Sequence, residues 1–274
     1  MSMSLPATAA KPRIRQPYQT QKRLLIAYAC TFLALLYLPL VVVAILSFSE
    51  TGAMSFPMGQ PTLRWYGEVL TNPTLLGALG RSFMIGIMTA VISTALALSL
   101  ALAFRHDTRL KLPAMGLILL PLLLPGVVGG AVLFVFYGLV GVPNGTWTTV
   151  LPSHVIYVLP FAFLTLMPRM GGFNRQIEEA AIDLGARTGQ LFTMVVWPML
   201  RPAIFATALF AFTLSFDEFI RTLFVTGFDR TVPVQFWTTI TDQGAPYLPA
   251  MAVVIMIISI SASAVGFALG EKKG

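Results

Sequence analysis

The sequence predicts an all-α membrane protein with six transmembrane helices and with both termini in the cytoplasm. Hydrophobic residues make up 56% of its 274 residues and charged residues only 11%, about half the charged fraction that is usual in soluble chains. Apolar runs long enough to cross a bilayer recur along the chain, and the charged residues lie mainly between them. These observations exclude a soluble domain and predict one polytopic membrane domain.

The N-terminal part is predicted to be a tail followed by a single span. Residues 1–23 are polar and basic and contain prolines, so we expect a disordered cytoplasmic tail. Residues 24–48 form an apolar run that is longer than the core of a signal peptide, which predicts an uncleaved first transmembrane helix. The single cysteine, Cys30, lies in this run and is predicted to be a small buried hydrophobe. Residues 49–79 are mixed polar and are predicted to form an external loop.

A core transmembrane domain is predicted over residues 70–270, with small residues on its first helix. Thr89, Ser93, Ala97 and Ala101 recur at every fourth position, a spacing that lets a neighbouring helix approach closely. The spans of this domain are predicted at about 80–104, 112–140, 150–167, 202–226 and 248–269.

The third span is predicted to be broken. Pro121 and Pro125 fall inside it, and Gly126 and Gly130 form a GxxxG pattern. A proline within a span frees a backbone carbonyl, which is tolerated only where a neighbouring helix or water satisfies it. This segment is therefore predicted to line a path or to form a hinge rather than to face lipid.

The basic residues predict the orientation in the membrane. Fourteen of the eighteen Lys and Arg residues lie in the N-terminal tail, the loop 105–111, the segment 169–201 or the C-terminus. An excess of Lys and Arg is typical of cytoplasmic loops. The distribution therefore predicts that both termini and the segment 169–201 are cytoplasmic. It also argues against a nucleic-acid partner, which the net charge of +7 alone would allow.

The segment 169–201 is predicted to be a polar helical hairpin. Its first helix is expected to begin at a cap on Asn174 and to end at Gly185, in the left-handed conformation that ends many helices. Its second helix is expected to run from Thr188 to Trp197, because Pro198 cannot continue a helix without a kink. Apolar residues recur at helical spacing on the first helix: Ile177, Ala180, Ala181 and Leu184.

The sequence lacks the patterns of several kinds of catalytic site. It has no Gly-x-x-x-x-Gly-Lys-Ser/Thr phosphate-binding loop, so no nucleotide-binding site is expected in this chain. It also has no Cys/His cluster and no Gly-x-Ser-x-Gly nucleophile elbow. The two histidines, His106 and His154, are far apart in sequence and are predicted to be loop or interface residues. We therefore expect no catalytic, cofactor-binding or metal-binding residue.

The hairpin carries a spaced motif. Glu179-Ala-Ala is followed by three residues, Gly185, nine residues and then Val195-Val-Trp-Pro. This resembles the motif of permease subunits of type I ATP-binding-cassette (ABC) importers, Glu-Ala-Ala, three residues, Gly, nine residues and Ile-x-Leu-Pro. Val195 replaces the Ile and Trp197 replaces the Leu, and both replacements are apolar.

The resemblance implies partners and an energy source. In such importers the hairpin is a coupling helix that docks in a cleft of a separate ATPase subunit. The implied partners are a dimer of that ATPase, a second permease in a heterodimer, a periplasmic solute-binding protein and the lipid of the bacterial inner membrane. ATP and Mg would be bound by the ATPase, and no cofactor by this chain. The implied ATPase-coupling residues are Glu178, Glu179, Ala180, Ala181, Asp183, Gly185, Ala186 and Pro198.

The fifth predicted span contains three ionisable residues, Asp217, Glu218 and Arg221. Charges inside a membrane are costly, and they mark functional positions by default. Arg221 is three or four residues from each carboxylate, so a local ion pair is the alternative interpretation. A single arginine does not neutralise two carboxylates, which leaves about one negative charge on the path side in either case.

The same region suggests a substrate. Leu214-Ser-Phe-Asp-Glu, the later Phe224-Val-Thr-Gly and Arg230-Thr-Val-Pro, and Leu63-Arg-Trp-Tyr resemble the second permease of spermidine/putrescine-type importers. The resemblance implies a small cationic amine as substrate, which an excess carboxylate and aromatic cation–π contacts suit. Opines, aminoethylphosphonate and ferric ion remain alternatives with the same architecture. The predicted substrate-path residues are Asp217, Glu218, Phe216, Phe219, Arg221 and Trp237.

Two further classes of protein are weighed against this one. A secondary transporter would work without an ATPase, and the coupling motif and the missing inverted-repeat pattern argue against it. A membrane enzyme would need a catalytic constellation that the sequence does not offer. The sequence therefore predicts a transport subunit that is not itself an enzyme.

Overall fold

The fold is described from a computed structural model, which covers residues 18–52, 59–104, 109–171, 175–242 and 244–271. These residues are helical apart from short connections, and no strand is present among them. Two π-helical turns, Thr146–Val150 and Phe192–Val196, continue into the α-helices that follow them. The α-helices are α1 (Tyr18–Leu46), α2 (Arg64–Thr71), α3 (Pro73–Ala103), α4 (Lys111–Leu123), α5 (Gly126–Val140), α6 (Leu151–Gly171), α7 (Arg175–Asp183), α8 (Thr188–Leu191), α9 (Trp197–Phe216), α10 (Ile220–Val225), α11 (Val232–Asp242) and α12 (Leu248–Glu271).

The centre of the bundle is formed by α3, α6 and α9, with α3 packed most extensively on the other two. The predicted small-residue face of α3 is confirmed, because Thr89, Ser93, Ala97 and Ala101 are all completely buried. A buried hydrophobic cluster joins the C-terminal end of α3 to α6 and to the start of α9. Small side chains on α3 thus let the three helix backbones approach one another.

Several helices are long and apolar enough to cross a membrane. Four stretches of the described chain meet this criterion, and the bent pair of α4 and α5 makes a fifth if it is one span. The helix α12 adds a shorter apolar segment at Leu248–Ser261. The chain is therefore a multi-pass membrane protein, whereas the number of six spans and the cytoplasmic termini stay predictions. The four stretches are Gln21–Leu46, Pro73–Ala103, Thr146–Met170 and Gly189–Phe216.

The helix α1 lies at the edge of the molecule. Only 6% of the most apolar segment of α1 is buried, against 50% of the corresponding segment of α3. The helix α1 packs on α12. Cys30 on α1 is exposed, so the prediction of a buried cysteine is wrong. The reason is that the apolar surface of this span is not covered by the rest of the chain. Residues 1–17 of the predicted tail lie outside the described residues, and the rest of that tail begins α1.

The predicted external loop 49–79 is partly wrong, since its second half is helical. The helix α2 lies there, and α3 begins at Pro73 instead of residue 80. The side-chain oxygen of Asn72 accepts hydrogen bonds from the backbone N–H groups of Thr74 and Leu75, at 3.0 and 3.3 Å. Asn72 followed by Pro73 is a helix start, because asparagine caps the first turn and proline suits its first position.

The predicted third span is two helices that meet at a bend of 103°. Leu124 has extended backbone angles and Pro125 precedes the first residue of α5. The residue before a proline is disfavoured in the helical region, so the chain turns at this position. The predicted break in the segment 112–140 is therefore confirmed, and its two halves lie nearly at right angles.

The glycine face of α5 packs against α10. A Cβ atom built on Gly130 would lie 2.6 Å from Phe224 Cδ2 and 3.3 Å from Arg221 Cα. A Cβ atom on Gly126 would make ordinary contact with Ile220. The GxxxG pattern therefore marks a close helix contact, and its partner is the short helix α10.

This contact predicts the effect of an added methyl group. We expect Gly130→Ala to destabilise the protein by about 1–3 kcal/mol, the usual cost of overpacking a close contact. The midpoint of thermal unfolding in detergent should fall by about 2 °C or more. Gly138→Ala, on the same helix but with no atom near its added Cβ, is the matched control. Equal midpoints for the two variants would refute the close packing of α5 on α10.

The second hairpin helix does not end at Trp197 as predicted. The helix α8 continues through the π turn Phe192–Val196 into α9, so that Gly189–Phe216 is one uninterrupted stretch. The backbone N–H of Trp197 bonds to the carbonyl of Phe192, one residue further back than in an α-helix. This wider turn accommodates Pro198, whose ring would otherwise press on the preceding turn.

Candidate functional site

A break in the helix separates α9 from α10 at residues 217–219. The backbone N–H of Asp217 bonds to Thr213 O at 3.1 Å and that of Glu218 to Ser215 O at 3.3 Å, after which the helix resumes at Ile220. A continuous fifth span at 202–226 is therefore wrong. The break leaves the C-terminal end of a 20-residue helix next to two carboxylates.

Glu218 and Arg221 form an ion pair at this break. Glu218 Oε1 accepts a hydrogen bond from the Arg221 backbone N–H at 2.8 Å, and Oε2 accepts one from Arg221 Nη1 at 3.2 Å. Both side chains are largely buried, with exposed fractions of 7% and 12%. The local ion pair, the alternative interpretation of these charges, is therefore present, and it involves Glu218.

Asp217 points in another direction. Its Oδ1 accepts a hydrogen bond from Ser259 Oγ of α12 at 3.1 Å, and its side chain is exposed in the isolated chain. Among the described residues, Arg221 is paired with Glu218, and no cation forms an ion pair with Asp217. The excess negative charge expected from the sequence therefore belongs to Asp217.

The guanidinium group of Arg221 is held between two helices. It lies over the ring of Tyr157 on α6, 4.0 Å from the ring centroid, which is a favourable cation–π geometry. A Cβ atom on Gly129 of α5 would lie 3.5 Å from Arg221 Nε. Arg221 is thus fixed by its ion pair, by an aromatic face and by the glycine face of α5.

The imidazole ring of His154 spans the helix break. Its Nδ1 lies 2.7 Å from Ser215 Oγ in the last turn of α9, and its Nε2 lies 2.7 Å from Thr222 Oγ1 in α10. All three side chains are buried. The predicted interface role of His154 is confirmed, but sequence analysis did not connect it to the charged residues. A histidine and a tyrosine three residues apart in an apolar span, His154 and Tyr157, are the pattern that indicates a polar face on α6.

The predicted aromatic residues divide into two groups. Phe219, within the break, and Trp237, on α11, pack with ring centroids 5.5 Å apart, and Trp237 is 45% exposed. Phe216 is only 2% exposed and packs against Phe83 and Phe212. The pair Phe219–Trp237 therefore presents aromatic surface next to the break, whereas Phe216 lies in the packed interior.

The hairpin has the helix end that its glycine predicts. Gly185 has a backbone φ of +86°, and its N–H bonds to Ile182 O at 2.8 Å while the N–H of Ala186 bonds to Ala181 O at 3.0 Å. This is the Schellman arrangement, in which a left-handed glycine satisfies the last carbonyl groups of a helix. The predicted cap, Asn174, lies outside the described residues.

The hairpin exposes part of its apolar face. Leu184, Ile182 and Ile177 are 89%, 55% and 41% exposed, whereas Ala181 packs against the hydrophobic cluster of α3, α6 and α9. Glu178 is buried at 7% exposure. Of the other predicted coupling residues, Ala186 and Pro198 are half-buried, and those that are exposed are Glu179, Ala180, Asp183 and Gly185.

The hairpin and the helix break lie at opposite ends of one helical stretch. The run that begins in α8 and passes through the π turn ends at Phe216, next to Asp217. The helix α9 alone has 20 residues, a length of about 30 Å.

No group of three or more potential metal ligands occurs among the residues that the structure describes.

Components of binding-protein-dependent transport systems match most of this chain. Residues 93–272 match the family model described as "Binding-protein-dependent transport system inner membrane component". The spermidine/putrescine transport system permease protein PotC of Escherichia coli K12 is 28% identical over 229 residues, covering 83% of this chain and 86% of the relative. The putrescine transport system permease protein PotI of the same strain is 30% identical over 254 residues, covering 89% and 88%.

Solved structures show the same fold. A chain of a bacterial ABC transporter involved in import of the acidic polysaccharide alginate matches with a TM-score of 0.68 at 13% identity, over 92% of this chain and 96% of that one. A chain of a bacterial alginate ABC transporter in complex with an alginate pentasaccharide-bound periplasmic protein matches with a TM-score of 0.67 at 14% identity, over 94% and 99%. At this identity the likeness concerns the fold alone.

Proposed function

Since the chain belongs to the family of binding-protein-dependent transport system inner membrane components, we propose that it forms the translocation path for a small cationic amine of the spermidine or putrescine type. The chain is a permease subunit and not an enzyme. The observation that carries the proposed substrate is the carboxylate of Asp217, which is the unneutralised charge at the helix break.

The electrostatics of the break favour a cation. Glu218 is neutralised by Arg221, so Asp217 contributes the net negative charge. The C-terminal end of α9, with its partial negative charge, is directed at the same place. Helices broken inside a membrane use such C-terminal ends to bind cations. A protonated amine next to Asp217 would therefore interact with both a full and a partial negative charge.

The aromatic residues beside the break suit the same kind of substrate. The rings of Phe219 and Trp237 pack at a tilt of 50° with their centroids 5.5 Å apart, and nearly half of the Trp237 surface is exposed. A cation over a tryptophan face gains about 0.5–1 kcal/mol at exposed sites and about 2 kcal/mol or more when water is excluded. A methylene chain between two amines would also pack against these rings. The names of PotC and PotI, which are polyamine permeases, agree with this substrate class.

The proposed assembly contains four kinds of subunit. This chain would pair with a second permease and with two copies of an ATPase, and a periplasmic binding protein would deliver the substrate. ATP and Mg would be bound by the ATPase, because the sequence of this chain has no phosphate-binding loop. The proposed location is the bacterial inner membrane, with six spans and with both termini and the hairpin in the cytoplasm.

The hairpin is proposed to be the ATPase-docking element. Its apolar side chains, led by Leu184, are exposed outside the membrane-spanning helices, where water makes exposed apolar area costly. Covering them with a cleft of another subunit would remove this cost. Closure of the ATPase dimer would then move two such hairpins together, and the spans would change from inward to outward opening as rigid bodies.

The ligand of the partner binding protein tests the substrate assignment. We expect calorimetry with the purified binding protein encoded with this permease to show tight binding of spermidine or putrescine. Opines, aminoethylphosphonate and ferric ion, tested in the same way, should bind weakly or not at all. Tight binding of one of these three in place of the amines would overturn the amine assignment and leave the permease function intact.

A further inference from the structure

A chain of buried hydrogen bonds crosses the helix break and is centred on His154. Ser215 lies in the last turn of α9 and Thr222 lies in α10, and the imidazole ring from α6 bonds to both at 2.7 Å. Thr222 Oγ1 also bonds to the backbone carbonyl of Glu218 at 3.0 Å. One ring therefore connects the two helix segments on either side of residues 217–219.

The direction of these bonds follows from the number of hydrogens. The Thr222 hydroxyl has one hydrogen, and it donates this hydrogen to the Glu218 carbonyl. Its oxygen must therefore accept from His154 Nε2–H, and a neutral ring then has a lone pair on Nδ1 that accepts from the Ser215 hydroxyl. The assignment that satisfies all three contacts is the neutral imidazole with its proton on Nε2.

A second set of contacts holds the same short helix from α6 and from the turn that precedes it. Thr149 Oγ1 donates to Val225 O at 2.6 Å, at the far end of α10. Tyr157, one turn after His154 on α6, lies under the Arg221 guanidinium at 4.0 Å. The start, the middle and the end of α10 are therefore all in contact with α6 or with the π turn that precedes it.

We propose that His154 is a positioning residue for transport, which clamps the helix break and thereby fixes the Glu218–Arg221 pair and the direction of Asp217. Residues 215–219 contain no proline or glycine that would impose a break. The break therefore depends on tertiary contacts, and the His154 ring supplies the ones that join its two sides. The inference rests on the proposed permease function but not on the identity of the substrate.

Loss of the imidazole ring would change the backbone at the helix break while the rest of the fold is retained. Without His154, the Ser215 and Thr222 hydroxyls lose a buried partner, and the backbone is free to rewind toward a continuous helix. Rewinding would rotate Glu218, Arg221 and Asp217 relative to α6 and α12. Substrate passage would then fail in molecules that still assemble and hydrolyse ATP.

The tautomer can be observed directly, because the chain has only two histidines. With ¹⁵N-labelled histidine and His106→Gln to remove the other signal, NMR of the full-length protein reports His154 alone. We expect an unprotonated Nδ1 and a protonated Nε2, with Thr222→Val and Ser215→Ala each changing the resonances. A proton on Nδ1, or on both nitrogens, would overturn the assigned bonding and with it the clamp.

The transport role is tested by the ratio of substrate imported to ATP hydrolysed in the reconstituted complex. When only complexes purified through the permease are reconstituted, this ratio does not depend on the yield of folded permease. We expect His154→Leu to lower it about fivefold or more, in the range of typical coupling effects between sites. The control is Ser153→Ala, on the same helix as His154. It removes the buried hydrogen bonds of Ser153 to Thr149 O and to Tyr137 of α5, and it should leave the ratio unchanged.

An unchanged ratio in His154→Leu would reduce His154 to a structural residue and refute the proposal. The substrate used is whichever solute the wild-type complex imports. If the amine assignment is wrong, the imported solute is a different one and the test is carried out with that solute. If the clamp is wrong, the coupling ratio of His154→Leu equals that of the wild type, or the tautomer differs from the one expected.

Discussion

Asp217→Asn is expected to reduce uptake of the amine by at least about tenfold while the protein still assembles. The substitution keeps the shape and the hydrogen bond from Ser259 but removes the net negative charge of the break. Interactions with charged partners contribute about 1.5–3 kcal/mol, and about 1.4 kcal/mol corresponds to a factor of ten. Uptake into proteoliposomes and co-purification of the ATPase are the two measurements.

Glu218→Gln separates this role from a structural one. Glu218 bonds to Arg221 through both oxygens, so the variant leaves a buried arginine without its charge partner. Breaking a buried pair in this way costs about 3–5 kcal/mol. We therefore expect reduced yield and thermal stability from Glu218→Gln, and near-normal stability from Asp217→Asn. Full uptake by Asp217→Asn would show that Asp217 makes no contribution to the path.

Leu184→Asp is expected to abolish co-purification of the ATPase without destabilising the permease. Leu184 is 89% exposed, and substitutions at such positions usually change stability by less than about 0.5 kcal/mol. Burial of a leucine in a docking cleft contributes about 1.5–3 kcal/mol, and a buried carboxylate would add a desolvation cost. Pull-down of the ATPase from membranes measures the effect.

Leu63→Asp is the matched control, because Leu63 is also highly exposed outside the long apolar helices, at 69%. We expect it to retain the ATPase. Retention of the ATPase by Leu184→Asp as well would contradict the docking role of this hairpin. A second substitution, Glu179→Lys, should leave the protein in the membrane and uncouple ATP hydrolysis from uptake; normal uptake by that variant would count against the same role.

The hairpin could be predicted well because its determinants are local. A glycine separated from Glu179-Ala-Ala by three residues ends the helix, and the structure has Gly185 at φ +86°. The small residues of α3 were equally informative, because Ser, Thr and Ala at every fourth position of a membrane helix are typical of close helix packing. Pro198 was misleading, because a local stop rule does not include the π turn that accommodates it.

The helix break could not be predicted, because nothing in its own sequence requires it. Residues 215–219 contain no proline or glycine, the two residues that most strongly interrupt a helix. The break is stabilised by His154, which is 61 residues from Ser215 and 68 residues from Thr222. The sequence alone shows that three ionisable residues lie close together. It does not show which of the two carboxylates pairs with Arg221. The angle between α4 and α5 could not be predicted either, because Pro125 indicates where the chain bends but not by how much.

One helical stretch runs from the second arm of the hairpin to the proposed substrate contact. It begins in the hairpin and ends at Phe216, beside Asp217. A displacement of α7 by the ATPase would therefore pass through the turn at Gly185 and then along this stretch to the break. The central claim is that this chain is the permease of an importer in which ATP hydrolysis on another subunit drives amine entry.

Uptake of labelled spermidine and putrescine into proteoliposomes that contain this chain, its partner permease and the ATPase tests the claim most directly. We predict accumulation that requires ATP and Mg on the ATPase side and the loaded binding protein on the other side. Accumulation that continues without ATP, or without the ATPase subunit, would contradict the account.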